Sequence, residues 1–229
     1  MGGVERCPTG ILGFDKLCEG GFVRNSVNAV LGGPGAGKTT FLLQFLWNGL
    51  RYKENGLFVS FEPDVSEVIE DAVLHGWDFA RADANGTCKF IRFSTKASVD
   101  DLKVELMKTI AKNDVKRVCM DPASLISINT DGKETRELIY DLVSLLKRLR
   151  VTVLLSNEIP DGELEVPGKE DARDNYIRFL SDSFISLYSS GLGGVTDRAL
   201  RIVKMRRTNH ARGPVPFQIT NFGINVVSR

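Results

Sequence analysis

The amino-acid sequence predicts an α/β fold in which a mostly parallel, twisted sheet is flanked by helices and is extended by C-terminal antiparallel strands. Apolar runs of strand length alternate with amphipathic helical patterns between residues 26 and 157, which is typical of a parallel sheet covered on both faces. A glycine-rich segment joins the first strand to the first helix, and short apolar runs follow residue 182. With 229 residues, 42% of them hydrophobic, we expect one domain spanning 1–229.

The first strand and helix enclose a phosphate-binding motif. Val27 to Leu31 is a short apolar strand, and a helix with apolar residues at helical spacing begins near Lys38. Between them, GGPGAGKT has the P-loop spacing of a glycine, four free positions and Gly-Lys-Thr. Glycines let consecutive backbone N–H groups turn towards a polyphosphate, and the helix adds the positive end of its dipole. The alternative is a glycine-rich turn that binds nothing.

The residues of this loop receive separate roles. Lys38 is predicted to reach the β- and γ-phosphates. The Thr39 hydroxyl is predicted to hold Mg²⁺, which prefers hard oxygen ligands. The predicted phosphate-binding residues are Gly33, Pro34, Gly35, Ala36, Gly37, Lys38, Thr39 and Thr40.

The following elements continue the alternation of strand and helix. Gly56 to Glu62 is predicted to be a second buried strand, and 65–75 a helix that Ser66 caps. Residues 89–93 are predicted to form a strand and 99–111 an amphipathic helix. Further strands and helices should therefore pack onto the same sheet.

The next strand, Val115 to Asp121, is apolar up to a carboxylate at its C-terminal end. This is the Walker B arrangement, in which Asp121 would contact Mg²⁺ directly or through a bound water. An aspartate at this position also serves as the cap of a turn. The P-loop upstream in the same chain favours the metal-binding role.

The remaining pattern adds a helix at 134–150, a strand at 151–157 and a polar loop at 158–175. The predicted C-terminal antiparallel strands are 183–189, 199–204, 215–220 and 224–228. In a sheet of this kind ligands bind at the carboxyl ends of the parallel strands. We therefore expect the P-loop and Asp121 to lie together at these carboxyl ends.

Composition leaves the partners open, and any binding to nucleic acid or membrane must come from a local patch. The formal net charge of +1 provides no overall attraction to nucleic acid or membrane. The four cysteines show no CxxC pairing, so we expect ordinary reduced thiols. No apolar run has the length of a membrane span, and the first residues lack a signal-peptide pattern. The expected location is the cytoplasm, with no membrane partner.

Taken together, these residues resemble the RecA superfamily of ATPases and, within it, a single KaiC-type domain. The resemblance covers nearly the whole chain, and the KMR-x-T-x-H segment makes it more specific than the P-loop alone. The matching segments are TGI-x-GFD from Thr9, Gly20-Gly21, the P-loop, SFE at 60–62, HGWD at 75–78, the strand ending in Asp121, SNE at 156–158 and IVKMR-x-T-x-H from Ile202. The resemblance implies a RecA-like P-loop NTPase core that binds ATP and Mg²⁺.

The resemblance also implies roles for four residues. Glu62 matches the glutamate that orients the attacking water, as a carboxylate beside the γ-phosphate can do. Glu158 matches a residue that senses the γ-phosphate, although it could equally pair with a surface lysine. Lys204 and Arg206 match cations that reach the ATP of a neighbouring subunit. Alternation along the strand places both cations and Ile202 on one side and Val203 and Met205 on the other; on an edge strand such cations often only prevent aggregation.

Departures from the clock protein KaiC narrow the expectation. This chain has one KaiC-type domain where KaiC has two in tandem, and Pro63 stands where KaiC has a second glutamate. The tail is too short for a phosphoacceptor segment, so protein kinase activity and a clock role are not expected. The chain also lacks the N-terminal domain and linker of the recombinase RadA.

Three functions remain open. The favoured one is an ATPase that acts as a homo-oligomer, with a hexameric ring as one candidate, and couples nucleotide state to conformational change or to signalling through a further protein partner. The second is an accessory factor resembling RadA paralogues that binds single-stranded DNA; the acidic residues of the polar loop at 158–175 disfavour it. The third is a nucleotide-gated binding module with negligible hydrolysis.

Overall fold

The computed structural model describes residues 3–61, 64–94, 96–127, 132–159, 172–191 and 197–227. The strands are β1 Arg6–Cys7, β2 Phe22–Val23, β3 Val27–Gly32, β4 Asn55–Ser60, β5 Cys88–Arg92, β6 Val115–Asp121, β7 Thr152–Glu158, β8 Ser183–Ser189, β9 Arg198–Met205, β10 Val215–Thr220 and β11 Gly223–Val226. The α-helices are α1 Lys38–Arg51, α2 Val65–Val73, α3 Phe79–Ala84, α4 Val99–Lys112, α5 Gly132–Arg148 and α6 Ala172–Leu180. Short 3₁₀ helices cover Asp15–Cys18 and Ala123–Ser127.

Nine strands form one sheet in the order β11-β10-β9-β8-β3-β7-β6-β4-β5. Strands β8, β3, β7, β6, β4 and β5 are parallel to one another. Strands β9, β10 and β11 continue the sheet in antiparallel pairs. The predicted α/β class is confirmed, with its parallel sheet and its C-terminal antiparallel strands.

Helices cover both faces of this sheet because central strand residues alternate between two apolar cores. Helices α1, α2 and α3 pack on one face with Val30, and α4, α5 and α6 pack on the other with Leu31. Because β3, β4, β6 and β7 are parallel, their carboxyl ends lie together at one end of the sheet, beside the first turn of α1.

Local details differ from the sequence-based expectation. The N-cap of α2 is Asp64, whose carboxylate accepts from the backbone N–H of Ser66 at 2.8 Å, so the prediction that Ser66 caps this helix was wrong. Helix α3 was not predicted, because six residues are too few to show a periodic pattern. The predicted loop at 158–175 begins with the end of β7 and finishes in α6, while 160–171 lies outside the described residues.

An ion pair inside the fold joins the N-terminal segment to the sheet. The Arg117 side chain is fully buried, and its Nε donates to a Glu54 carboxylate oxygen at 2.6 Å. Its Nη1 donates to the carbonyl oxygens of Pro8 at 2.9 Å and Phe45 at 2.8 Å. Glu54 also accepts from Arg24 at 2.6 Å. The pair of Arg117 and Glu54 therefore connects segments that are distant in sequence, because Arg117 contacts Pro8 and Phe45 while Glu54 contacts Arg24.

All four cysteines are buried free thiols, as expected from their spacing. Burial raises the pKa of each thiol, that of Cys18 to about 12. Thiolates are the reactive form, so we expect no reaction of the native protein with Ellman's reagent at pH 8 over minutes. Four equivalents should react once the chain is unfolded in guanidinium chloride. Rapid native reaction of even one thiol would contradict this burial.

Candidate functional site

The P-loop occupies the turn between the end of β3 and the start of α1. A Cβ on Gly32 would lie 2.6 Å from the carbonyl oxygen of Leu187, so a larger residue would force β3 and β8 apart. Gly37 has a positive φ of 95° and immediately precedes α1. These two glycines let the loop fold tightly over the edge of the sheet.

The Lys38 side chain folds back along the inside of the loop. Its ammonium donates to the carbonyl oxygens of Gly32 at 2.9 Å and Gly33 at 2.8 Å. These bonds hold a positive charge within the loop, where phosphate oxygens would be the natural counter-charge.

Thr39 and Asp121 meet at the carboxyl ends of the parallel strands. The Thr39 hydroxyl donates to Asp121 Oδ2 at 2.6 Å. The other oxygen, Oδ1, accepts from the Ser156 hydroxyl. Parallel pairing sets this arrangement, because β6 lies between β4 and β7 and ends opposite Ser60. Three oxygen-bearing side chains from three elements thus converge beside the P-loop.

This donor set fits Mg²⁺. Thr39 and Asp121 are hard oxygen donors, and Mg²⁺ in nucleotide sites is typically held by one or two protein oxygens together with phosphates and waters. Within the described ranges, no cluster of three or more His, Cys, Asp or Glu residues forms a protein-only metal site.

A cavity of about 180 Å³ lies against these groups. Glu158 lines it from the end of β7, pairs in register with Gly32 and is exposed. Its lining residues are Pro34, Gly35, Lys38, Thr39, Phe58, Ser60, Val68, Asp121, Pro122 and Glu158. The structure therefore brings the P-loop, Asp121 and Glu158 to one cavity.

Two other predicted features fall on parts of the chain that the structure does not describe. Glu62 lies outside the described residues, directly after Phe61, so its role as the water-orienting carboxylate stays a prediction. The polar loop at 158–175, which bears on single-stranded DNA binding, also falls largely outside the described residues, so that alternative is likewise untested.

Lys204 and Arg206 lie at the opposite end of the parallel strands from the P-loop. Lys204 pairs with Phe184 on β8 and Met205 with Ser183, whereas Gly32 pairs with Leu187. The backbone N–H of Arg206 donates to the carbonyl oxygen of Asp182 at 2.9 Å, next to the start of β3. The length of β3 therefore separates these cations from the P-loop of the same chain.

The prediction that Ile202 shares a side with Lys204 and Arg206, opposite Met205, was wrong, because Ile202 and Met205 are buried in the same core. The register shifts between Lys204 and Ile202, where Val203 is the extra residue of a β-bulge. Consequently Ile202 and Met205 are buried, whereas Val203 and Arg206 are exposed. The bulge changes the face that each later side chain occupies.

The Lys204 ammonium contacts the C-terminal end of α6. It donates to the carbonyl oxygens of Arg178 at 3.2 Å, Phe179 at 3.2 Å and Ser181 at 2.6 Å. Burial and the nearby Arg206 charge lower the pKa of Lys204. Arg206, with 56% of its side chain exposed, makes a looser contact of 3.7 Å with Asp182.

A phosphate loop between a strand and a helix, with an aspartate-ended strand two positions away in a parallel sheet, defines a P-loop nucleoside triphosphatase of the RecA type. A protein-family model described as "ATPase: KaiC" matches residues 7–229. The chain belongs to this KaiC family of ATPases and is an ATP-binding protein of RecA fold.

Its relatives include both longer and similar-sized proteins. The circadian clock oscillator protein KaiC of Parathermosynechococcus lividus is 33% identical over 98% of this chain, which spans 42% of that protein. UPF0273 protein PF1931 of Pyrococcus furiosus is 31% identical over 97% of this chain and 94% of its own length. The chain thus spans less than half of the clock proteins that it matches.

A solved structure of similar size supports the same fold. The crystal structure of KaiC-like protein PH0186 from Pyrococcus horikoshii OT3 matches with a TM-score of 0.85 and 30% identity, covering 98% of this chain and all of that one. None of the helices that the structure describes combines the length and apolar character needed to cross a membrane.

Proposed function

We propose that this protein hydrolyses ATP with Mg²⁺ in a homo-oligomer, at sites that a neighbouring copy completes, and that it couples nucleotide state to conformational change or signalling. The observation that carries the proposal is that the P-loop and Arg206 lie at opposite ends of the parallel strands. A β-strand rises about 3.3 Å per residue, so the six residues of β3 separate them by roughly 16 Å. A head-to-tail contact between copies would bring Arg206 of one copy to the P-loop of the next.

Within one copy, the groups around the cavity divide the work of binding. The P-loop N–H groups and Lys38 hold the phosphates, and Thr39 and Asp121 hold Mg²⁺, which neutralises charge on the phosphate oxygens. Glu158 is proposed to respond to the γ-phosphate, and its position in the lining of the same cavity supports this role. Glu62 is proposed as the carboxylate that orients the attacking water.

The neighbouring copy supplies cations. Arg206 is the first candidate, since its guanidinium is exposed and only loosely held by Asp182. Lys204 is the second, and it would have to leave the three carbonyl oxygens at the end of α6. A guanidinium at the γ-phosphate stabilises charge in the transition state.

Mixing two inactive variants tests whether the site is shared. Lys38→Ala removes the phosphate-binding cation of one copy, and Arg206→Ala removes the cation offered to another. Each variant alone should have little ATPase activity. A 1:1 mixture should recover roughly a quarter of wild-type phosphate release, because half of the P-loops are intact and half of these meet an intact arginine.

The control mixes Lys38→Ala with the double variant Lys38→Ala/Arg206→Ala, which should recover nothing. Exchange of subunits is verified by energy transfer between labelled copies. Absence of recovery despite exchange would refute the shared site. Oligomers that keep ATP intact for hours would instead support the nucleotide-gated binding module.

A further inference from the structure

The Asp121 carboxylate is held on both sides by hydroxyl groups. Thr39 from α1 donates to Oδ2 at 2.6 Å, and Ser156 from β7 donates to Oδ1. Ser156 Oγ also lies 3.4 Å from the carbonyl oxygen of Met120, the residue before Asp121. The carboxylate therefore has one oxygen turned towards the P-loop helix and the other turned towards the neighbouring strand.

Ser156 does not itself reach the cavity. Its side chain is fully buried, and it is absent from the lining to which Asp121, Thr39 and Glu158 contribute. Met120 pairs with Leu155 in the parallel ladder of β6 and β7, so the next residue on each strand is Asp121 and Ser156. Any effect of Ser156 on a ligand must pass through Asp121.

We propose that Ser156 is a positioning residue that orients Asp121 for Mg²⁺ bound with the nucleotide. This inference rests on the proposed function of the site. A carboxylate on a single bond rotates unless its oxygens are held, and a metal needs a lone pair in a fixed direction. Groups that hydrogen-bond to a metal-binding side chain typically contribute 10–100-fold to metal affinity or activity.

The sequence provides a matched control. Ser186 is also a buried serine of a parallel strand, β8, and it pairs with Leu31 of β3, the strand that leads into the P-loop. Its side chain belongs to the opposite face of the sheet from Ser156, which pairs with Val30. Ser186→Ala thus makes the same chemical change at a similar depth without touching Asp121.

The experiment measures binding of a fluorescent ATP analogue by anisotropy, first in EDTA and then at increasing Mg²⁺. For Ser156→Ala we expect unchanged affinity in EDTA and a Mg²⁺ concentration for half-maximal enhancement that is about 10-fold higher or more. Mn²⁺ binding followed by electron paramagnetic resonance should weaken in parallel. Ser156→Thr, which keeps the hydroxyl, should restore the wild-type requirement, and Ser186→Ala should not change it.

The outcomes separate this inference from the function beneath it. A Ser156→Ala protein with the wild-type Mg²⁺ requirement overturns the positioning role. Equal weakening in EDTA and in Mg²⁺ also overturns it, since that pattern indicates general damage to the loop. If the wild-type protein binds the analogue without any response to Mg²⁺, the proposed function itself fails.

Discussion

Arg206→Ala is expected to lower kcat for ATP hydrolysis by about 10³-fold, the scale of cations that act on a γ-phosphate from outside the binding subunit. The affinity for ATP should change little, because the groups at the cavity in the same chain remain intact. The reason is geometric: the Arg206 guanidinium is 56% exposed and lies at the opposite end of the parallel strands from its own P-loop.

The measurement is steady-state phosphate release, together with binding of a fluorescent ATP analogue. Arg201→Ala is the matched control, because Arg201 is an exposed arginine of β9, the strand that ends one residue before Arg206. It should retain at least half of the activity. A loss in Arg206→Ala that appears only in the affinity, with kcat unchanged, would contradict a role in the transition state.

Glu54→Ala is expected to lower the free energy of unfolding by about 3–5 kcal/mol, because it leaves a buried charge without its partner. Arg117 is fully buried, and Glu54 is the carboxylate that contacts its Nε. Domains are typically stable by only about 5–15 kcal/mol, so this loss approaches the stability of the whole fold. The measurement is urea denaturation at pH 7, followed by circular dichroism.

Two further variants separate charge burial from general truncation. Glu5→Ala removes an exposed carboxylate that also contacts Arg24 and should cost under about 1 kcal/mol. Glu54→Ala/Arg117→Met should recover much of the loss, since an apolar pair often replaces a buried ion pair without penalty. A double variant less stable than Glu54→Ala alone would contradict this account.

The same carboxylate makes stability depend on pH. Burial alone would raise the pKa of Glu54, but the hydrogen bonds and charges of Arg24 and Arg117 outweigh it, so its pKa lies below the ordinary value. The resulting stability is present above the unfolded-state pKa of about 4.3 and is lost as pH falls through the lower folded-state value. Glu54→Gln should therefore lose less stability than wild type between pH 5 and pH 3 in urea titrations.

The elements predicted best are those whose residues show both a period and a motif. Val115 to Asp121 is the observed β6, and β3 extends the predicted strand by one residue to Gly32. Parallel strands bring their carboxyl ends together, so the sequence alone predicts that the P-loop and Asp121 meet.

The features that were missed depend on contacts between distant segments. Arg117 on β6 has the chemistry of a solvent-facing residue, and only the fold shows its burial against Glu54. The bulge at Val203 leaves no mark in the order of residues, so strict alternation put Ile202 and Met205 on opposite sides, whereas both are buried in the same core. Ser156 was included in a matching motif without a role, because its partner is 35 residues away.

The extra residue in β9, Val203, precedes both Lys204 and Arg206, so it leaves the relation between the two cations unchanged. The Lys204 ammonium contacts the end of a helix of its own subunit, and the Arg206 guanidinium, one residue beyond the end of the strand, is more than half exposed. Deletion of Val203 would leave Ile202 opposite Ile185 and Lys204 opposite Phe184, so a chain without the extra residue should still present Arg206 to any copy docked there.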